Sequence, residues 1–140
     1  MDVRYLIFAL CSSVLCFLYI FLSILVIRQR RKYLIAYLTN EDKAFIARVR
    51  AHANFAEYVP LGLILMAVSI VLDIHVIFFA VLAVLFVLAR CIHPYGLIKK
   101  EAKRQFGYRF FAMALTFSVL LLLAIFNMYK ALMLWFNTAF

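Results

Sequence analysis

Four apolar runs, each long enough to cross a bilayer, constrain the fold of this chain more than any other feature. They cover residues 5–27, 44–72, 76–97 and 109–135. A helix crosses the hydrocarbon layer in about 20 residues and satisfies its backbone polar groups internally, which lipid requires of any spanning segment. The runs and their short connections use nearly all of the 140 residues. The expectation is an all-α integral membrane protein, a single domain of four transmembrane helices packed as a bundle. Composition agrees, with 69% hydrophobic residues and a mean hydropathy of +1.06, where a soluble domain is roughly half apolar. The first run is expected to be a retained span. It is long for a signal core, and no small-x-small cleavage pattern precedes the basic stretch 28–32 that ends it.

The formal charge of +9 does not point to nucleic acid, because the basic residues cluster between apolar runs. Arg28, Arg30, Arg31, Lys32, Lys43, Arg48 and Arg50 flank the first connection, and Arg90, Lys99, Lys100, Lys103, Arg104 and Arg109 flank the third. The opposite ends of the spans offer only Arg4 and Lys130. The positive-inside rule then puts both basic loops in the cytoplasm and both termini outside, with Tyr5 and Trp135 at the outer interface. Thr39-Asn40-Glu41-Asp42 reads as a helix start, with Thr39 as the cap and the second helix running from about residue 40. Cys11, Cys16 and Cys91 all fall in apolar stretches without metal-ligand spacing, so they are expected to be small buried side chains.

Polar groups inside spans are costly and usually face the bundle interior. The informative stretch is RAHANFAEYVP, residues 50–60. At about 100° per residue, Arg50, Asn54 and Glu57 share one helix face, Tyr58 lies at its edge and His52 points to the far side. Glu57 lies 15 residues before Leu72, and Arg90 lies 14 residues after Val76. Across antiparallel helices, both therefore sit roughly 21–23 Å from the outer end. An ion pair between Glu57 and Arg90 would explain those two residues alone. It leaves Arg50, Asn54 and Tyr58 on the same stripe unexplained, and also His93 and Tyr95 near the same level. The surplus points to a bound polar ligand. Arginines offer forked donors to carboxylates, a glutamate takes an ammonium, and an amide both donates and accepts. Glutathione carries two carboxylates, an ammonium and a thiol and fits this inventory. Other amphiphilic anions, including phospholipid headgroups, fit it too.

The run from Arg50 to Pro60 resembles the hallmark of the MAPEG superfamily (membrane-associated proteins in eicosanoid and glutathione metabolism), Arg-x-x-x-Asn-x-x-Glu followed by Tyr and Pro. VIRQRRK at 26–32, LARCIHPYG at 88–96 and KRQFG at 103–107 resemble the family's basic end of helix one, its third-helix pattern and its entry to helix four. The resemblance covers essentially the whole chain, residues 1–140, and is closest to short bacterial members. It implies a homotrimer of four-helix bundles with glutathione held between subunits near the cytoplasmic side. Arg50, Asn54, Glu57 and Tyr58 would then hold glutathione, and Arg28 or Arg30 would add a carboxylate contact. His93 matches a ligand-contacting position that is His or Tyr in relatives, and Arg90 and Tyr95, near the same level of helix three, are further candidates for the site. Arg104 best matches the thiol-activating arginine of leukotriene-forming relatives, with Arg109 as its competitor. One family position that is often tyrosine is Leu97 here, with Tyr95 out of register.

The function this implies is a membrane glutathione transferase, with lipid peroxidase activity as an extension, acting on hydrophobic lipid-like electrophiles that arrive through the surrounding membrane lipids. Glutathione would supply the sulfur, so no protein nucleophile is needed. The alternative is a non-catalytic lipid- or glutathione-binding membrane protein. A small multidrug transporter is disfavoured, because such proteins rely on an acid in helix one and residues 5–27 contain none.

Overall fold

The computed structural model describes residues 2–37, 41–100 and 105–139. Its helices are α1 (Val3–Tyr33), α2 (Lys43–Val71), α3 (Val76–Tyr95) and α4 (Gly107–Ala139). A π-helical turn, Gly96–Lys100, continues α3. Each long helix is long and apolar enough to cross a bilayer, and no strand occurs among the described residues.

The helix ends follow from local chemistry. Asp2 caps α1 by accepting from the Arg4 N–H at 2.9 Å. Asp42 caps α2 by accepting from the Ala44 N–H at 2.8 Å. The second helix therefore starts at Lys43 rather than near residue 40, because the Asp42 carboxylate takes the capping role proposed for Thr39. Thr39 and Asn40 lie outside the described residues. The Tyr33 hydroxyl also donates to the Asp42 carboxylate, tying the end of α1 to the start of α2. That bond, with the Ala44 N–H, holds the Asp42 carboxyl below its usual range. The tie is thus kept at neutral pH and lost as the pH falls below about 4 and through the depressed value.

Both α1 and α2 stop in the same way. After α1, Leu34 adopts φ 54° and the Ile35 N–H bonds the Arg30 carbonyl at 3.0 Å. After α2, Asp73 adopts φ 58°, its N–H bonds the Ile70 carbonyl at 3.1 Å, and the Ile74 N–H bonds the Ser69 carbonyl at 3.1 Å. These are Schellman closures with side-chain-bearing residues where glycine is usual. Asp73 is held there from across the bundle. Arg4 Nη1 donates to its carboxylate at 2.5 Å and to the Ile74 carbonyl at 2.7 Å. One arginine thereby fastens the start of α1 to the α2–α3 turn.

α2 and α3 form the centre. α1 packs on them from one side and α4 from the other, and α1 does not touch α4 among the described residues. The core holds Leu22, Phe55, Met66, Phe79, Phe86 and Leu123. α2 approaches α3 closely at Gly62, where an added Cβ would fall 2.7 Å from Cε1 of the fully buried Phe86 ring. Gly62→Ala should therefore destabilise the bundle by about 1–3 kcal/mol, the usual cost of overpacking. Thermal unfolding in detergent checks this. Recovery in Gly62→Ala/Phe86→Leu is expected, and an unchanged transition in the single variant would contradict it. Nearer the α2–α3 turn, Ser69 Oγ donates to Asn127 Oδ1 at 2.7 Å, and Asn127 Nδ2 donates to the Leu65 carbonyl at 3.0 Å. Such buried polar clips join helices where lipid offers no hydrophobic drive for association.

The outward surface is apolar, with Leu10, Phe17, Phe110 and Trp135 all more than half exposed. Cys16 and Cys91 lie on this surface as well. Burial expected from their apolar neighbours is not met, because apolar neighbours here mark lipid-facing positions as readily as core ones.

Candidate functional site

The polar stripe of α2 forms one wall of a cleft of about 920 Å³. Arg50, Asn54 and Glu57 line it from α2, His93 from α3, Leu97 and Ile98 from the π-helical turn, and Arg109 and Met113 from α4. Asp42 and Lys43 stand at its loop end. Local sequence explains why three helices meet here. Pro94 has no N–H to give the Arg90 carbonyl, and the wider π-helical turn follows it directly. Gly96 in that turn is buried against the start of α4, where an added Cβ would lie 3.0 Å from both the Arg109 nitrogen and Tyr108 Cβ. The missing side chain lets the first turn of α4 close in and carry Arg109 to the cleft.

Behind the cleft wall lies Arg90, 1% exposed. It donates to Asn54 Oδ1 at 3.1 Å, to the Thr116 hydroxyl, and to Met113 Sδ at 3.8 Å. The Thr116 hydroxyl in turn donates to the Ala112 carbonyl at 2.7 Å. The Glu57–Arg90 ion pair does not form. The arginine instead meets Asn54, one turn nearer the basic loop, since its long side chain reaches in that direction. Glu57 and Arg50 are exposed, and neither has a hydrogen bond or ion pair within the described chain. Among the described residues, Arg90 therefore sits at membrane depth with only neutral partners. Together with Lys43, Arg50 and Arg109, it gives the cleft a surplus of positive charge over Glu57 and Asp42. A low-dielectric surround strengthens that field, and it favours an anion.

The other anticipated residues lie elsewhere. The Tyr58 ring turns away from the cleft. Its centroid is 5.6 Å from the Arg90 guanidinium, and it packs edge-on against Phe117 at 5.5 Å. Tyr95 is exposed and pairs with Tyr108 at 6.1 Å beneath Lys100. Arg28 is exposed at the end of α1, and Arg30 donates to the Ala36 carbonyl at 2.9 Å. Neither lines the cleft, because α1 packs on the opposite side of α2. Arg104 lies outside the described residues. His52 meets α1, with Nε2 3.0 Å from Ser23 Oγ and its ring 5.0 Å from that of Tyr19. Sequence reasoning passed over Met113 and Thr116. The signal was present, since Arg109, Met113 and Thr116 are spaced i, i+4, i+7 along one face of α4.

Among protein-family models, the one described as the MAPEG family matches residues 8–129. No curated protein matches the chain.

Proposed function

The chain belongs to the MAPEG family, whose members include glutathione transferases and related membrane proteins, and from that premise we propose that it is a membrane-embedded glutathione transferase acting on hydrophobic electrophiles. It is an integral, multi-pass membrane protein. The observation that carries the proposal is the cleft itself. Arg50, Asn54, Glu57, His93 and Arg109 converge on one space, and Arg50 and Glu57 keep their charges unspent among the described residues. Arg50 suits a carboxylate of glutathione, and Glu57 suits its ammonium. An unpaired carboxylate on an outward helix face is costly in lipid. That favours a homotrimer in which a neighbouring subunit covers this face and α1 of that neighbour brings Arg28 or Arg30 to the ligand. Both basic loops then lie in the cytoplasm, with the termini outside.

The chemistry asks little of the protein. A free thiol with a pKa near 8.5 is about 3% thiolate at neutral pH. An arginine beside the sulfur favours the ionised form, releasing the proton to water. The thiolate sulfur then forms a bond to the electrophilic carbon while the leaving group departs with its electron pair. The hydrophobic partner reaches the sulfur laterally from the bilayer. With a lipid hydroperoxide, two glutathiones become the disulfide while the peroxide becomes an alcohol and water.

Glutathione-dependent conjugation of an aryl halide by the reconstituted protein is the direct test. Saturable turnover absent from protein-free vesicles is expected. Glutathione binding without turnover on electrophiles or hydroperoxides would instead identify a binding protein.

A further inference from the structure

Arg90 is too buried to serve as an ordinary ligand contact, yet it is joined to the cleft wall through Asn54 and Met113. A guanidinium has donors and no acceptor, so the atom of Asn54 facing it must be the amide oxygen. The amide nitrogen donates to Met113 Sδ at 3.8 Å, a sulfur that Arg90 also reaches, and both Asn54 and Met113 line the cleft. Thr116 holds the guanidinium from behind and is itself anchored to the Ala112 carbonyl. The chain Ala112, Thr116, Arg90, Asn54 therefore runs from the backbone of α4 to the face of α2.

We infer that Arg90, locked by Thr116, is a positioning residue that fixes the Asn54 amide with its N–H₂ end toward the cleft, so that the bound ligand must present an acceptor oxygen there. The inference rests on the glutathione reading and deepens it. The matching atom is a peptide carbonyl or carboxylate oxygen of the tripeptide, and a ligand offering a donor at that place is refused. An isolated amide in a cleft flips to suit either kind of ligand, whereas one held by a buried cation has its polarity set before binding. The arrangement also gives a costly buried arginine a use although it has no acidic partner among the described residues. It spends its charge on orienting a neutral group, not on neutralising an anion.

The test uses the full chain in detergent, with asparagine side chains labelled for nuclear magnetic resonance and Asn54 assigned by Asn54→Asp. Thr116→Val removes the acceptor behind Arg90 and keeps the shape, while Thr116→Ser keeps the hydroxyl. In Thr116→Val the Asn54 amide resonances should shift and broaden, and glutathione affinity should fall about tenfold, the size of one charge-assisted hydrogen bond. The Asn127 pair, held by Ser69 and the Leu65 carbonyl, should not move and reports that the fold is intact. Thr116→Ser should restore both readouts. An unmoved Asn54 pair in Thr116→Val would overturn the positioning role. If glutathione leaves the wild-type Asn54 resonances untouched, the tripeptide reading fails, while the variants still decide separately whether Arg90 orients the amide.

Discussion

Replacing Glu57 with glutamine should raise the glutathione concentration needed for half-maximal turnover by roughly 10–100-fold, the range expected when a hydrogen bond to a charged group is lost. The unfolding transition should stay where it is. The two halves of that expectation come from one fact. Glu57 is exposed and makes no hydrogen bond or ion pair within the described chain, so its charge contributes nothing to the protomer that glutamine would remove. Its only use, on this account, is the ligand's ammonium. Asn54→Asp makes an instructive contrast. It keeps an acceptor facing Arg90, so folding should survive, yet it replaces the donor in the cleft with a carboxylate and should weaken binding as well. Steady-state kinetics over a wide glutathione range, beside thermal melts, separates these effects. A Glu57→Gln variant that unfolds at lower temperature but binds normally would show that the carboxylate is structural.

The second large effect concerns the thiol. If one arginine lowers its pKa, removing that arginine should cost about 30-fold in turnover at pH 7, because roughly 3% of an unassisted thiol is ionised there. The sign follows from charge. The cation stabilises the thiolate and pulls the pKa down, so without it the rising limb of the pH–rate profile moves to higher pH. The deficit should then shrink as the pH passes the free thiol's value. Two residues compete for the role. Arg109 lines the cleft, while Arg104 carries the better match to the family's activating arginine. Arg104→Gln and Arg109→Gln should therefore be compared across pH 6 to about 9.5, a span that brackets the thiol pKa. One of them should show the displaced limb with little change in glutathione affinity. Two profiles that fall evenly at every pH would remove thiol activation by either arginine from the mechanism.

Much of the architecture could be read before any coordinates. Four helices follow from hydropathy and length, because lipid leaves the backbone few alternatives. The grouping of Arg50, Asn54 and Glu57 follows from helix periodicity alone. Pairings between helices were less legible. Counting residues from the α2–α3 turn matched Arg90 with Glu57, but a long side chain can bond one turn away from its own level, and here it found Asn54. Tyr58, one residue past the stripe, lies at its edge by angle, and its ring packs edge-on against Phe117. The exposure of Cys16 and Cys91 was illegible for a different reason. In a membrane protein, apolar surroundings describe the solvent side as well as the interior, so hydropathy loses its usual power to separate them. Thr116 shows the reverse case, a lone hydroxyl in an apolar run that became meaningful only once a buried guanidinium was found against it.

The central claim is that the α2–α3–α4 cleft holds glutathione, and calorimetric titration of glutathione into the detergent-purified protein, beside Glu57→Gln, tests it most directly. Saturable binding to the wild type that the variant loses or sharply weakens is the predicted result. A folded wild type that takes up no glutathione would contradict the account and leave the converging arginines, amide and carboxylate as a site for some other anion.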